Sequence, residues 1–166
     1  MNKVKIKLNG GIMPKKQHKG DAAYDLYVPE DIELHYGRQV IDMKFAMELP
    51  KGKAAIIQPR SGCSLRGIPV MASEVEVDLS GDYETPIDAD VKIGLIDSNY
   101  RKNVGTILQV REPIYVGKRG MRRWTLKKGA RISQMRIVDV PEIELAEVSE
   151  LSESERNGGF GSTGTR

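Results

Sequence analysis

Cysteine is all but missing from this sequence, where Cys63 stands alone among 166 residues. One thiol cannot close an intramolecular disulfide or build a cysteine zinc site, so the chain is expected in a reducing, cytoplasmic compartment. Long hydrophobic runs are missing too. No apolar stretch continues far enough for a secretory signal or a membrane span, which predicts a soluble protein with no membrane partner. No internal repeat appears, and no long amphipathic helix. Neither sign of charge dominates: 26 Lys and Arg oppose 23 Asp and Glu, a net +3. That balance suits phosphate ligands without calling for nucleic acid. A chain of this length makes one domain, with or without a tail, and folding buries roughly two thirds of its unfolded surface.

What the sequence has in quantity is period-two alternation. Val4, Ile6 and Leu8 alternate with lysines up to Gly10-Gly11. Ile32 and Leu34 repeat the pattern, and Met43, Phe45, Met47 and Leu49 carry it to Pro50-Lys51-Gly52. Ala22 to Tyr27 reads as a short strand in which Asp25 sits among apolar neighbours, where a carboxylate requires a partner or a cation. About a dozen such strands predict an all-β sandwich, barrel or jelly roll.

Several stretches carry chemistry. A buried-type strand, Ala54 to Gln58, ends in Pro59-Arg60-Ser61-Gly62. Proline stops the ladder and glycine permits a turn, so an arginine fork, a hydroxyl and backbone N–H groups meet at one point. This is either a phosphate cradle or a surface turn with a solvated arginine. The run Gly94 to Tyr100 delivers a carboxylate, Asp97, a polar Ser98-Asn99 turn and an aromatic ring to one strand end. An acid there can hold a water while the ring packs against a ligand. Arg131 and Gln134 are three apart, so on a regular strand they face opposite sides. Gln134 is expected toward the ligand and Arg131 in a structural ion pair.

Other stretches have a structural reading. Between Pro69 and Asp90, Val75, Val77 and Leu79 alternate with Glu74, Glu76 and Asp78 before a Ser80-Gly81-Asp82 turn. A second arm returns through Asp88 to Lys92. This hairpin has an acidic outer face, either solvated or a surface for a protein partner. A basic loop, Gly117 to Arg123, leads to Trp124, which is expected to start a strand and to pack. Leu145, Val148 and Leu151 have helical spacing in a short acidic segment, a frayed turn or a helix. The end, Arg156 to Arg166, is glycine-rich and predicts an arm of no fixed conformation, from which Phe160 stands out.

Taken together, these stretches resemble the five motifs of the homotrimeric dUTPase family, in order. They are Ala23-Tyr24-Asp25-Leu26, Pro59 to Gly62, Gly94 to Tyr100, Gly129 to Gln134 and Gly159 to Gly164. The resemblance implies a jelly-roll catalytic domain over 1–150, with an inserted hairpin near 69–90. A flexible arm, 151–166, would close over a neighbouring active site. It further implies hydrolysis of dUTP to dUMP and pyrophosphate in sites shared between subunits. Asp97 would activate water for attack at the α-phosphorus. Tyr100 would pack under the deoxyribose. Arg60, Ser61, Gly62 and Gln134 would hold the phosphates, with Arg156, Gly161, Ser162 and Thr163 from the arm. Phe160 would stack on uracil, and Asp25 would orient water on Mg²⁺.

The chain departs from the family pattern at four points. The stretch after Gly62 is one residue short before Gly67-Ile68, and the Pro69 to Asp90 excursion is longer than the usual hairpin. Val91 stands where an asparagine usually reads the uracil edge, so its backbone, Asp88 or Asp90 would read the base instead. Arg156 is one residue nearer Gly158-Gly159-Phe160 than the usual arginine. Related dCTP deaminases, including bifunctional ones, share the fold but lack the glycine-rich strap. A nucleotide-sensing binding module is the non-enzymatic alternative.

Overall fold

The structure is a computed structural model and describes residues 3–74, 82–111, 116–117 and 120–154. In chain order its elements are β1 (Lys5–Leu8), β2 (Tyr24–Leu26), β3 (Ile32–Leu34), β4 (Gly37–Glu48), β5 (Lys53–Pro59) and α1 (Ser61–Arg66). Next come β6 (Ile68–Glu74), β7 (Tyr83–Ile87), β8 (Ala89–Val91), β9 (Gly94–Ile96), β10 (Asn103–Val110), β11 (Val116–Gly117), β12 (Gly120–Leu126) and β13 (Ser133–Asp139). The strands pair antiparallel in three sheets, ordered β1-β4-β10-β8, β2-β13-β5-β9 and β11-β12-β6-β7, with β3 also on β12.

Alternation produces the core. Val104, Thr106, Leu108 and Val110 turn inward from β10, and Ile41, Met43, Phe45 and Met47 from β4. The apolar ones among them meet Leu26, Ile57 and Met135 of the second sheet, and Ile132 just before β13, in one continuous cluster. Two buried hydroxyls bridge the sheets: Thr106 Oγ1 and Ser133 Oγ lie 2.8 Å apart, each satisfying a polar group that burial would otherwise penalise. No helix among the described residues is long and apolar enough to cross a membrane.

Four expectations change. The turn after Pro59 becomes a helix, α1, closed by Gly67, whose φ of 89° carries its N–H back to Cys63 O at 2.9 Å. A helix of fewer than two turns leaves no apolar periodicity to read. The excursion is a hairpin, but its paired arms are β6 and β7, in register from Ile68↔Ile87 to Ala72↔Tyr83. Residues 75–81, including Glu76 and Asp78, lie outside the described residues. Trp124 is 4% exposed and packs as expected, yet it sits inside β12 opposite Leu34 and Ala72, rather than at a strand start. Residues 140–154 form neither helix nor strand, and Leu145 and Leu151 are 93% and 88% exposed. No hydrogen-bonded turn forms because those side chains have nothing among the described residues to pack on.

Candidate functional site

The end of β5 assembles the first half of a site. Arg60 precedes α1 in extended conformation (φ −82°, ψ 138°). This sends its guanidinium back across β2, where Nε donates to Asp25 Oδ1 at 2.8 Å. Arg131 Nη1 donates to Asp25 Oδ2 at 3.2 Å, and Arg60 Nη1 donates to the Arg131 carbonyl at 3.2 Å. Asp25 thus finds the partner that its apolar surroundings demand, shared between two arginines. The ion pair expected of Arg131 is present, and its partner is Asp25. Arg131 precedes β13, so strand alternation does not separate it from the site.

Strand register places Asp25, Gln134 and Gln58 abreast on β2, β13 and β5. Gln134 Nε2 donates to the Pro59 carbonyl at 3.0 Å. These three side chains, with Arg60, Ser61, Gly62 and Arg136, line an open cavity of about 410 Å³. Gln58 and Arg136 escaped the sequence reading, although Arg136 lies two residues beyond Gln134 and so on the same strand face. Cys63 is buried behind the arginines, its thiol 3.6 Å from the Arg131 carbonyl. Burial pushes that thiol above its ordinary pKa, so it stays protonated and unreactive near neutrality.

The second half lies elsewhere. Strand β9 ends at Ile96, and Asp97 projects exposed into a turn closed by Tyr100 N–H donating to Asp97 O at 3.1 Å. Arg101 Nη1 braces the turn at the Ser98 and Tyr100 carbonyls, 2.6 and 2.9 Å. The Tyr100 ring is 40% exposed, with its hydroxyl donating to Asn103 O at 3.1 Å. Because Ile96 pairs with Ala55, Asp97 stands level with Ala54, about 20 Å from Arg60 by strand rise. Within one chain the two halves face opposite ends of β5.

Val91 is 5% exposed, its side chain in the core. What it can offer a ligand is backbone. Lys92 N–H donates to Ile107 O and Arg111 N–H to Asp88 O, so by antiparallel alternation the Val91 N–H and C=O point away from β10. Strand β8 closes that sheet, which leaves them on its open edge. Asp88 and Asp90 are both held by the Arg111 guanidinium. The arm residues Arg156, Phe160, Gly161, Ser162 and Thr163 lie outside the described residues. Among the described residues no group of three or more His, Cys, Asp or Glu is arranged to hold a metal ion.

Comparison with known proteins bears on this arrangement. A family model described as dUTPase matches residues 9–84. The deoxyuridine 5′-triphosphate nucleotidohydrolase of Clostridium tetani is 33% identical over 165 residues, 98% of this chain and 95% of its own. That of Gloeothece citriformis is 36% identical over 155 residues, 92% and 89% of the two chains. In three dimensions, Staphylococcus bacteriophage 80alpha dUTPase with dUpNHpp superposes with a TM-score of 0.76 over 99% of both chains, at 28% identity.

Proposed function

The chain belongs to the dUTPase family, and from that premise we propose that it hydrolyses dUTP to dUMP and pyrophosphate in sites built between subunits of a homotrimer. The observation that carries the composite site is the division of the chemistry along β5. Phosphate-binding groups stand at one end and the carboxylate and ring at the other, about 20 Å apart. One chain cannot bring both to one phosphorus, whereas a second copy can present its Asp97 turn to the first copy's arginine cluster. Exposed Ile143, Leu145 and Leu151 supply apolar surface that an assembly would cover.

In such a site Asp97 accepts the proton of a water whose oxygen attacks the α-phosphorus. The bond from that phosphorus to the bridging oxygen breaks, and pyrophosphate leaves. Asp97 acts chiefly by holding the water in line. Arg60, Ser61, Gly62 and Gln134 hold the phosphates, and Tyr100 packs under the deoxyribose. The Val91 N–H and C=O offer uracil O4 an N–H donor and N3–H an acceptor. Cytosine presents the reverse order, a donor at N4 and an acceptor at N3. From the arm, Arg156, Gly161, Ser162 and Thr163 close on the phosphates and Phe160 stacks on the base.

The protein residues fit Mg²⁺ brought with the nucleotide rather than caged by the chain. Two described carboxylates line the cavity; Asp21 accepts from the Gln17 and His18 backbone N–H groups, whereas Asp25 stands abreast of Gln134, and each Asp25 oxygen keeps a lone pair for a metal-bound water. Bound there, the ion would neutralise phosphate charge. The test is pyrophosphate release with Mg²⁺ and dUTP, dCTP, dTTP or UTP. Hydrolysis of dUTP alone supports the reading. A uracil product from dCTP would transfer the protein to the deaminases, and no turnover by folded protein would leave a binding module.

A further inference from the structure

The Tyr100 ring is held by a polar network that begins two strands away, at a strained position in β4. Lys44 has φ 51°, the one positive value at a non-glycine residue among those described. Register between β4 and β10 jumps there from Asn103↔Ala46 to Gly105↔Asp42, so three β4 residues bulge opposite Val104. The conformation is fixed from several sides. The Lys44 carbonyl accepts N–H bonds from Asn9 and Gly11, each 2.8 Å. Lys44 N–H donates to Asp42 Oδ1 at 2.7 Å, and Lys44 Nζ pairs with Glu30 Oε1 at 2.6 Å. Gly11 is obligatory, since a Cβ there would overlap the Met43 and Lys44 carbonyl oxygens. Strain persists where the surroundings over-determine it, and a bulge re-aims the side chains beside it.

The side chain aimed by this bulge is Asp42. Its Oδ2 accepts from Asn103 Nδ2 at 3.1 Å, and Asn103 Oδ1 accepts from Asn9 Nδ2 at 2.8 Å. The carboxylate only accepts, which fixes the Asn103 amide and, through it, that of Asn9. Asn103 opens β10, and its carbonyl receives the Tyr100 hydroxyl. Tyr100 is therefore tethered by its backbone N–H to the Asp97 carbonyl and by its hydroxyl to a residue gripped by Asn9, just beyond β1, and by Asp42 of β4.

The geometry points to Asn9, Asp42 and Asn103 as positioning residues that fix the Tyr100 ring and thereby set discrimination against a ribose 2′-hydroxyl. The inference rests on the reading of Tyr100 as the sugar platform. A ring packed against C2′ excludes a hydroxyl only while it cannot retreat, and displacement of about 1 Å can change rates up to a hundredfold.

The experiment compares kcat/KM for dUTP and UTP in the full-length protein and in Asp42→Ala, Asn103→Ala, Asp42→Asn and Tyr100→Ala. In Asp42→Ala and Asn103→Ala the dUTP/UTP ratio is expected to fall about tenfold or more. Asp42→Asn should keep the wild-type ratio, because an all-amide chain runs in reverse: the new Nδ2 donates to Asn103 Oδ1, and Asn103 Nδ2 donates to Asn9 Oδ1. A merely structural defect lowers both substrates together. An unmoved ratio in the two alanine variants, with Tyr100→Ala lowering it, overturns the network's role and leaves the site reading intact. Loss of the ratio in Asp42→Asn as severe as in Asp42→Ala also overturns it. If Tyr100→Ala keeps the ratio, or wild type does not turn over dUTP, the reading of the site fails and this inference with it.

Discussion

Asp25 is 7% exposed and accepts from two guanidiniums, so its removal leaves two cations converging on an empty place. Breaking a buried pair from one side costs about 3–5 kcal/mol. Arg60 and Arg131 retain 29% and 39% exposure, so water recovers part of that. Asp25→Ala is expected to lower unfolding free energy by about 3 kcal/mol in urea, and a loss below about 1 kcal/mol would count against the shared pair. Asp97 is exposed with no such partner among the described residues, and the opposite result is expected there. Asp97→Asn should leave the melting curve in place, leave binding of dUpNHpp intact and cut turnover about 10²–10⁴-fold. Cys63 gives a third residue-scale outcome. With its thiol buried and its pKa raised by that burial, a disulfide reagent at pH 8 should label it far more slowly in native than in urea-unfolded protein.

At the scale of elements, α1 owes its abrupt end to Gly67. An alanine there would be strained at φ 89°, and its Cβ would lie 2.6 Å from the Ile87 carbonyl oxygen on β7. Gly67→Ala is expected to cost about 1–3 kcal/mol and to disturb the β6–β7 hairpin, seen as faster amide exchange in β7. The turn after β12 is tied differently. Asp31 accepts from Lys127 Nζ and, at 2.8 Å, from Lys128 N–H. The Lys127 hydrogen bond foremost, then that backbone bond, hold its carboxyl below the usual range. A depressed carboxylate contributes stability that is present above its unfolded value and lost as pH falls through the folded one. Asp31→Asn should therefore lower Tm above about pH 4, with the gap from wild type closing on further acidification. A gap that widens toward low pH would reverse the assignment.

At the scale of the whole molecule, the proposed composite site would make catalysis a property of an assembly. Mixing Arg60→Ala chains with Asp97→Asn chains under subunit exchange should restore activity to two preparations each nearly dead. A hybrid site can then take its arginine from one chain and its carboxylate from another, for roughly one site in four under random equal mixing. No recovery, with exchange demonstrated, would mean that each chain completes its own site. Sedimentation should give three chains per particle.

Much of the fold and the site was legible in the sequence for a local reason. Strand alternation is written residue by residue, so Met43, Phe45, Met47 and Leu49 announce their inward face, and Asp97 after Leu95-Ile96 announces a strand running into an acid. Asp25 declared its need for a partner through its apolar neighbours. The partner itself was invisible, because Arg60 and Arg131 reach it across 35 and 106 residues, and only sheet pairing of β2, β13 and β5 brings them together. The helix α1 is too short to leave a periodic trace. The Lys44 bulge depends on contacts with Asn9, Gly11 and Asn103, none of them near in sequence, and on Asp42, which is. Local chemistry fixes which side chains a residue can satisfy; strand register decides which of them it meets, and it set the Arg60–Asp25–Arg131 cluster and Asp97 at opposite ends of one strand.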